Sequence, residues 1–240
     1  MAENLINYSA LAYLNQWYVT DRRFMEILTS TELGKTAGAR LQLLAAKYQG
    51  SRNFADPGTT KSEKADRASG LWLKVADCVV SAAAAPRSNV DETVTDLADK
   101  LGKIFPGKAN GADPTLLSAA TKFLWFSGRD DIRIYDRRAI RALNSWCKAN
   151  RRPDRRGWRV DDSYPVFAEE WGRMYKAHEA AIRGAIIRLE DAFHWSLLPQ
   201  GEIRHAARAV MTQQWFVDRV FDKHLWTIGA DDETRVGGFV

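Results

Sequence analysis

Arginine is concentrated in one part of this chain. Arg129, Arg133, Arg137, Arg138, Arg141, Lys148, Arg151, Arg152, Arg155, Arg156 and Arg159 all fall between positions 129 and 159. A guanidinium offers a planar fork of donors that matches phosphate oxygens, so a run of this kind points to neutralisation of a nucleic-acid backbone. The net charge of +5 has the same sign. A solvated charged face joined to a basic loop accounts for the same residues without a ligand. Other chemistries lack their residues. The four histidines and two cysteines stand apart from one another, without zinc-ligand spacing, so no metal is expected. There is no Gly-x-x-x-x-Gly-Lys loop, no dinucleotide fingerprint and no Gly-x-Ser-x-Gly elbow, so no cofactor is expected either.

The same region contains the segment TKFLWFSGRDDIRIYDRRAIRAL, Thr121 to Leu143. It resembles the core of the helix-hairpin-helix DNA glycosylase superfamily, closest to the bacterial proteins with the 8-oxoguanine DNA glycosylase fold. The resemblance rests on Thr121-Lys122, the apolar run Phe123 to Phe126, and Ile134-Tyr135-Asp136-Arg137-Arg138. It covers about a tenth of the chain convincingly; RVFDKHLWTIG near the end is compatible and less specific. Where many members carry a glycine-rich hairpin, this chain has Ser118-Ala119-Ala120.

The resemblance implies an all-α, helix-hairpin-helix glycosylase-like fold and a catalytic pair. Lys122 corresponds to the lysine nucleophile of the bifunctional enzymes, and Asp136 to their essential aspartate. A carboxylate can stabilise the positive charge that builds on the sugar as an N-glycosidic bond breaks. A desolvated lysine can attack the sugar carbon, and the Schiff base that follows permits strand cleavage. The implied function is therefore a DNA glycosylase, with AP lyase activity where the lysine acts. The implied partner is DNA, held by Arg129, Arg137, Arg138, Arg151, Arg152, Arg155 and Arg156. Lys122 is expected at a helix start, close to Asp136 across a pocket. Because the target base must leave the stack, aromatic side chains are expected nearby, with Trp125, Tyr135, Trp146 and Trp158 as candidates. The alternative of another class is a catalytically silent DNA-binding module of a repair or defence system; a helical interaction scaffold is the third. A second lysine, in Lys74-Val-Ala-Asp-Cys78 with Asp91 downstream, also matches members of the superfamily. It ranks below Lys122 because no hairpin precedes it.

The elements that must position these residues read as helices. Leu5, Tyr8, Leu11 and Ala12 recur at helical spacing, as do Phe24, Ile27 and Leu28 after a cap at Thr20. A long helix is expected from about Lys64 to Ala85, ending before Pro86, and another after a cap at Asp91. Asp113-Pro114 marks a helix start, and Gly128 an end. Between them, Ser118 to Thr121 allow a continuous helix or a break. Asp136 is placed to cap a helix bearing Ile140, Leu143 and Trp146. Further helices are expected over Val166–Lys176, His178–Trp195, Glu202–Thr212 and Trp215–Thr227.

No sustained strand pattern occurs. The chain reads as one all-helical unit over residues 1–240, with the core-like segment at about 113–147. No apolar run reaches the roughly 18–20 residues of a membrane span, and the opening MAENLINYSALAYLNQWY, with no basic region ahead of an apolar block, is not expected to act as a secretory signal. Cys78 and Cys147 read as buried thiols of a cytoplasmic protein. Core packing is the expected role of most of the nine tryptophans, and the last helix, with Trp215, Phe216, Val217, Val220, Phe221 and Trp226, reads as core.

Overall fold

The computed structural model describes residues 2–29, 36–48, 61–105, 114–150, 159–161 and 163–230. Among them the regular structure is helical, and no strand is present, so the protein is all-α. The helices are α1 (Ala2–Gln16), α2 (Arg22–Thr29), α3 (Ala37–Lys47), α4 (Lys61–Ala83), α5 (Val90–Ile104), α6 (Pro114–Phe126), α7 (Arg137–Ala149), α8 (Tyr164–Ile187), α9 (Glu202–Met211) and α10 (Gln214–Ile228). Short 3-10 turns occupy Arg87–Asn89 and Phe193–Trp195. No described helix is long and apolar enough to cross a membrane.

The chain, read from sequence as a single unit, divides into two compact units. One comprises residues 1–22 and 136–240; the other is the continuous stretch 23–135. In the discontinuous unit, α1 packs on α10 and α8, and α7 packs on both of those helices. Ile6, Tyr13, Leu14, Phe167, Trp171, Phe216 and Phe221 fill its core. In the continuous unit, α4 packs on α3 and α5, and α6 packs on α5, α4 and α3. Trp72 meets Phe105 and Phe123, and Phe24 meets Phe126, as tilted or edge-on aromatic pairs.

Three helix boundaries differ from expectation. Thr20 is not a cap. It lies in a π turn, Trp17–Asp21, closed by the Arg22 N–H donating to the Trp17 carbonyl, and helical geometry resumes at Arg22. The extra residue is absorbed without breaking the backbone ladder, as in other π bulges. Asp91 falls inside the first turn of α5, with Asn89 at its cap position. The two helices expected over 166–195 are one long helix, α8, followed by a 3-10 turn. Only Ala177 separates the two expected helices, and α8 runs through it without a break, with Arg173–Glu169 and Arg183–Glu179 pairing one turn apart along it.

Candidate functional site

Lys122 lies in the last half of α6. The helix is continuous through Ser118-Ala119-Ala120-Thr121, so these residues form no hairpin and Lys122 is not at a helix start. The reason is packing. Leu116, Leu117, Ala119, Ala120, Phe123 and Leu124 are all buried, so this helix is apolar on most of its circumference. Its end is a Schellman turn. The Arg129 N–H reaches the Leu124 carbonyl, the Gly128 N–H reaches the Trp125 carbonyl, and Gly128 takes the positive φ (94°) that the turn requires.

Thr121 is fully buried. Its hydroxyl donates to the Leu117 carbonyl at 3.0 Å and accepts the Tyr135 N–H at 3.2 Å. The residue before Lys122 thus holds the backbone of the residue before Asp136. Lys122 itself is half-buried, and its Nζ donates to Ser118 Oγ at 2.6 Å. Asp136 caps α7 as expected, in extended geometry, with its carboxylate accepting the Arg138 N–H at 2.9 Å. Lys122 belongs to the continuous unit and Asp136 to the discontinuous one.

Arg129 is occupied internally. It is 3% exposed; its guanidinium pairs with both oxygens of Asp131 at 2.8 Å and donates to the carbonyls of Ala82 and Ala85 at the end of α4. Burial alone raises the Asp131 carboxyl, but the hydrogen bonds and charge of Arg129 outweigh it and hold that carboxyl below its ordinary range. Arg129, expected among the residues that hold the nucleic-acid backbone, is thus placed at the end of α4 with its guanidinium bonded within the protein. Arg137 is exposed and Arg138 half-buried on the first turn of α7. Arg151, Arg152, Arg155, Arg156 and Trp158 lie outside the described residues. The second lysine, Lys74, is exposed on α4, and Asp91 is exposed on α5.

Both described cysteines are free and half-buried rather than fully buried, and burial raises the Cys78 thiol. Among the described residues no group of His, Cys, Asp and Glu could hold a metal ion.

A second group of side chains was not anticipated. On α10, Phe216, Val217, Val220, Phe221 and Leu225 are buried, but Trp226 is 41% exposed, a correction to its expected core role. It lies just off the buried stripe. The Arg138 guanidinium sits 3.9 Å from the centroid of the Trp226 ring, and Lys223 Nζ sits 4.5 Å from it. Lys223 Nζ also donates to Gln16 Oε1 at 3.2 Å. Burial, then the charge of Arg219, then that of Arg138 lower the Lys223 ammonium, and Asp21 opposes them only in part. Behind this group lies a buried ionic chain. Arg219 pairs with Asp222 at 2.8 Å and with Asp21 at 4.0 Å, and Asp222 accepts the Trp171 indole N–H at 2.6 Å. The one local signal was the spacing of Lys223 and Trp226, which places them one turn apart on a helix.

Compared with protein-family models, with curated proteins and with solved structures, the chain finds no match in any of the three.

Proposed function

We propose that this protein is a DNA glycosylase of the helix-hairpin-helix type that removes a modified or damaged base, with Lys122 as amine nucleophile and Asp136 as stabilising carboxylate. The observation that carries the reading is the buried Thr121 hydroxyl. It serves α6 and the Tyr135 N–H at once, and among the apolar and small residues around it only a hydroxyl residue could do both. It gives a physical reason for a Ser or Thr directly before the lysine. In the proposed reaction the base departs with the electrons of its N-glycosidic bond and takes up a proton. Asp136, fixed by its capping bond, stabilises the positive sugar. The neutral amine of Lys122 bonds to C1′; the C1′–O4′ bond then breaks, the ring oxygen takes one proton from the nitrogen and stays on C4′ as a hydroxyl, and a protonated imine remains. Loss of a C2′ proton from that imine, with the 3′ phosphate leaving with the electrons of its C3′–O bond, would be the lyase step.

The test is base release and borohydride trapping on DNA carrying abasic sites or oxidised and alkylated bases. Lys122→Ala is expected to abolish trapping, and Lys74→Ala to leave it unchanged. Asp136→Asn keeps an equally good helix cap while removing the charge, and is expected to slow base release by about 10²–10³-fold. Trapping that depends on Lys74 instead would overturn the assignment. Binding without any turnover would favour the silent DNA-binding module, and absence of nucleic-acid affinity at low salt the interaction scaffold.

A further inference from the structure

Trp226, Arg138 and Lys223 belong to the same compact unit and converge at the start of α7 and the end of α10. Gly229 brings these two helix ends into direct backbone contact: a Cβ there would lie 1.9 Å from the Arg138 carbonyl oxygen. An exposed indole alone would mean little. Here two cations rest on it, and among the described residues neither is paired with a carboxylate. The nearby carboxylates are engaged elsewhere. Asp136 caps α7, and Asp222 and Asp21 are paired with Arg219. Burial first, then the charges of Arg219 and Arg138, lower the Lys223 ammonium, with Asp21 opposing. Such a cluster gains when an anion arrives. The two cationic centres both lie within 4.5 Å of the centre of one ring.

We propose that Arg138, Lys223 and Trp226 form a binding platform for one nucleotide of a nucleic-acid strand, with its phosphodiester on the two cations and its unpaired base against the exposed part of the indole. Base–aromatic stacking with flanking cations is the general mode of binding single strands without sequence preference. The platform shares the nucleic-acid reading above and does not depend on the chemistry of Lys122. It lies two residues from Asp136 in sequence, which suits a nucleotide flanking the target.

The experiment measures fluorescence anisotropy of labelled oligo-dT, oligo-U and a duplex of equal length, as a function of salt. Trp226→Ala is expected to weaken oligo-dT binding about 5- to 100-fold, Trp226→Phe less, and duplex binding little, because paired bases cannot stack on the indole. Lys223→Met and Arg138→Gln are each expected to reduce the log–log salt slope by about 0.7 on single strands, while Lys223→Arg and Arg138→Lys keep it. Equal losses on oligo-dT and oligo-U assign the platform to chemistry shared by DNA and RNA; a loss confined to one names the strand. Unchanged affinity and slope in the neutral variants, with helical circular dichroism intact, would overturn the proposal. So would Trp226→Phe proving as damaging as Trp226→Ala. Base release that persists while the platform variants bind as wild type sinks the platform alone. Platform-dependent binding without base release sinks the glycosylase reading alone.

Discussion

His224 lies inside the discontinuous unit, 4% exposed, beside Phe221 and with its ring centroid 6.0 Å from that of His178. Burial first, and the charge of His178 second, push its imidazole down to about 4. In an unfolded chain the group titrates near 6.5. Between these values the unfolded chain binds the extra proton, so stability rises with pH across that window. The contribution is complete above about pH 6.5 and is lost as pH falls toward 4, by roughly 3 kcal/mol in all. Urea denaturation at pH 7 and at pH 4.5 is expected to reveal this slope in the wild type and a flatter one in His224→Phe. Side chains differ in how far they could be read in advance. Asp136 and Gly128 were legible, because capping and helix termination depend on a few neighbouring residues. Arg129 was not. Its fate depends on the carbonyls ending α4, far away in sequence, which only folding brings within reach. The meeting of Arg138, Lys223 and Trp226 was hidden for the same reason.

Helices are set partly by such local signals and partly by close packing. Gly229 illustrates the second: its hydrogen sits where the Arg138 carbonyl leaves no room for a methyl group. Gly38 does the same in the continuous unit, where a Cβ would lie 2.8 Å from the Trp72 backbone carbon. Gly229→Ala and Gly38→Ala are each expected to cost about 1–3 kcal/mol through overpacking. Gly172, exposed in α8 with nothing within 4 Å of a Cβ, should behave oppositely. Gly172→Ala is expected to stabilise by roughly 0.5–1 kcal/mol, because alanine loses less backbone entropy in a helix. Thermal melts of the three variants decide the signs. The number and order of helices were largely visible from apolar periodicity. Continuity was not. The run through Lys176-Ala177-His178 gave no local sign that the two expected helices are one, and a π turn leaves no mark in composition. Ser118 to Thr121 permitted a break, and burial of the adjoining apolar residues decided for a straight helix.

Across the whole molecule, a continuous unit is inserted into one built from both flanking segments. The alternation of apolar and polar residues could not disclose this, because it identifies each helix's buried face and not the helix that covers it. All helix contacts within residues 23–135 are made over short sequence separations compared with those joining α1 to α10. A fragment spanning 23–135 is therefore expected to be helical and to melt cooperatively, whereas removing 214–240 should leave α1 without its main partner and raise binding of an apolar dye. Circular dichroism and dye fluorescence test both; a fragment without cooperative melting would contradict the first. The insertion also sets a schedule for synthesis. The ribosome makes α10 only some two hundred codons after α1. At roughly 5–20 residues per second, Tyr13 waits on the order of tens of seconds for Phe216 of α10, against which its ring packs. During that interval the newborn segment is a natural client for a chaperone that grips apolar helices.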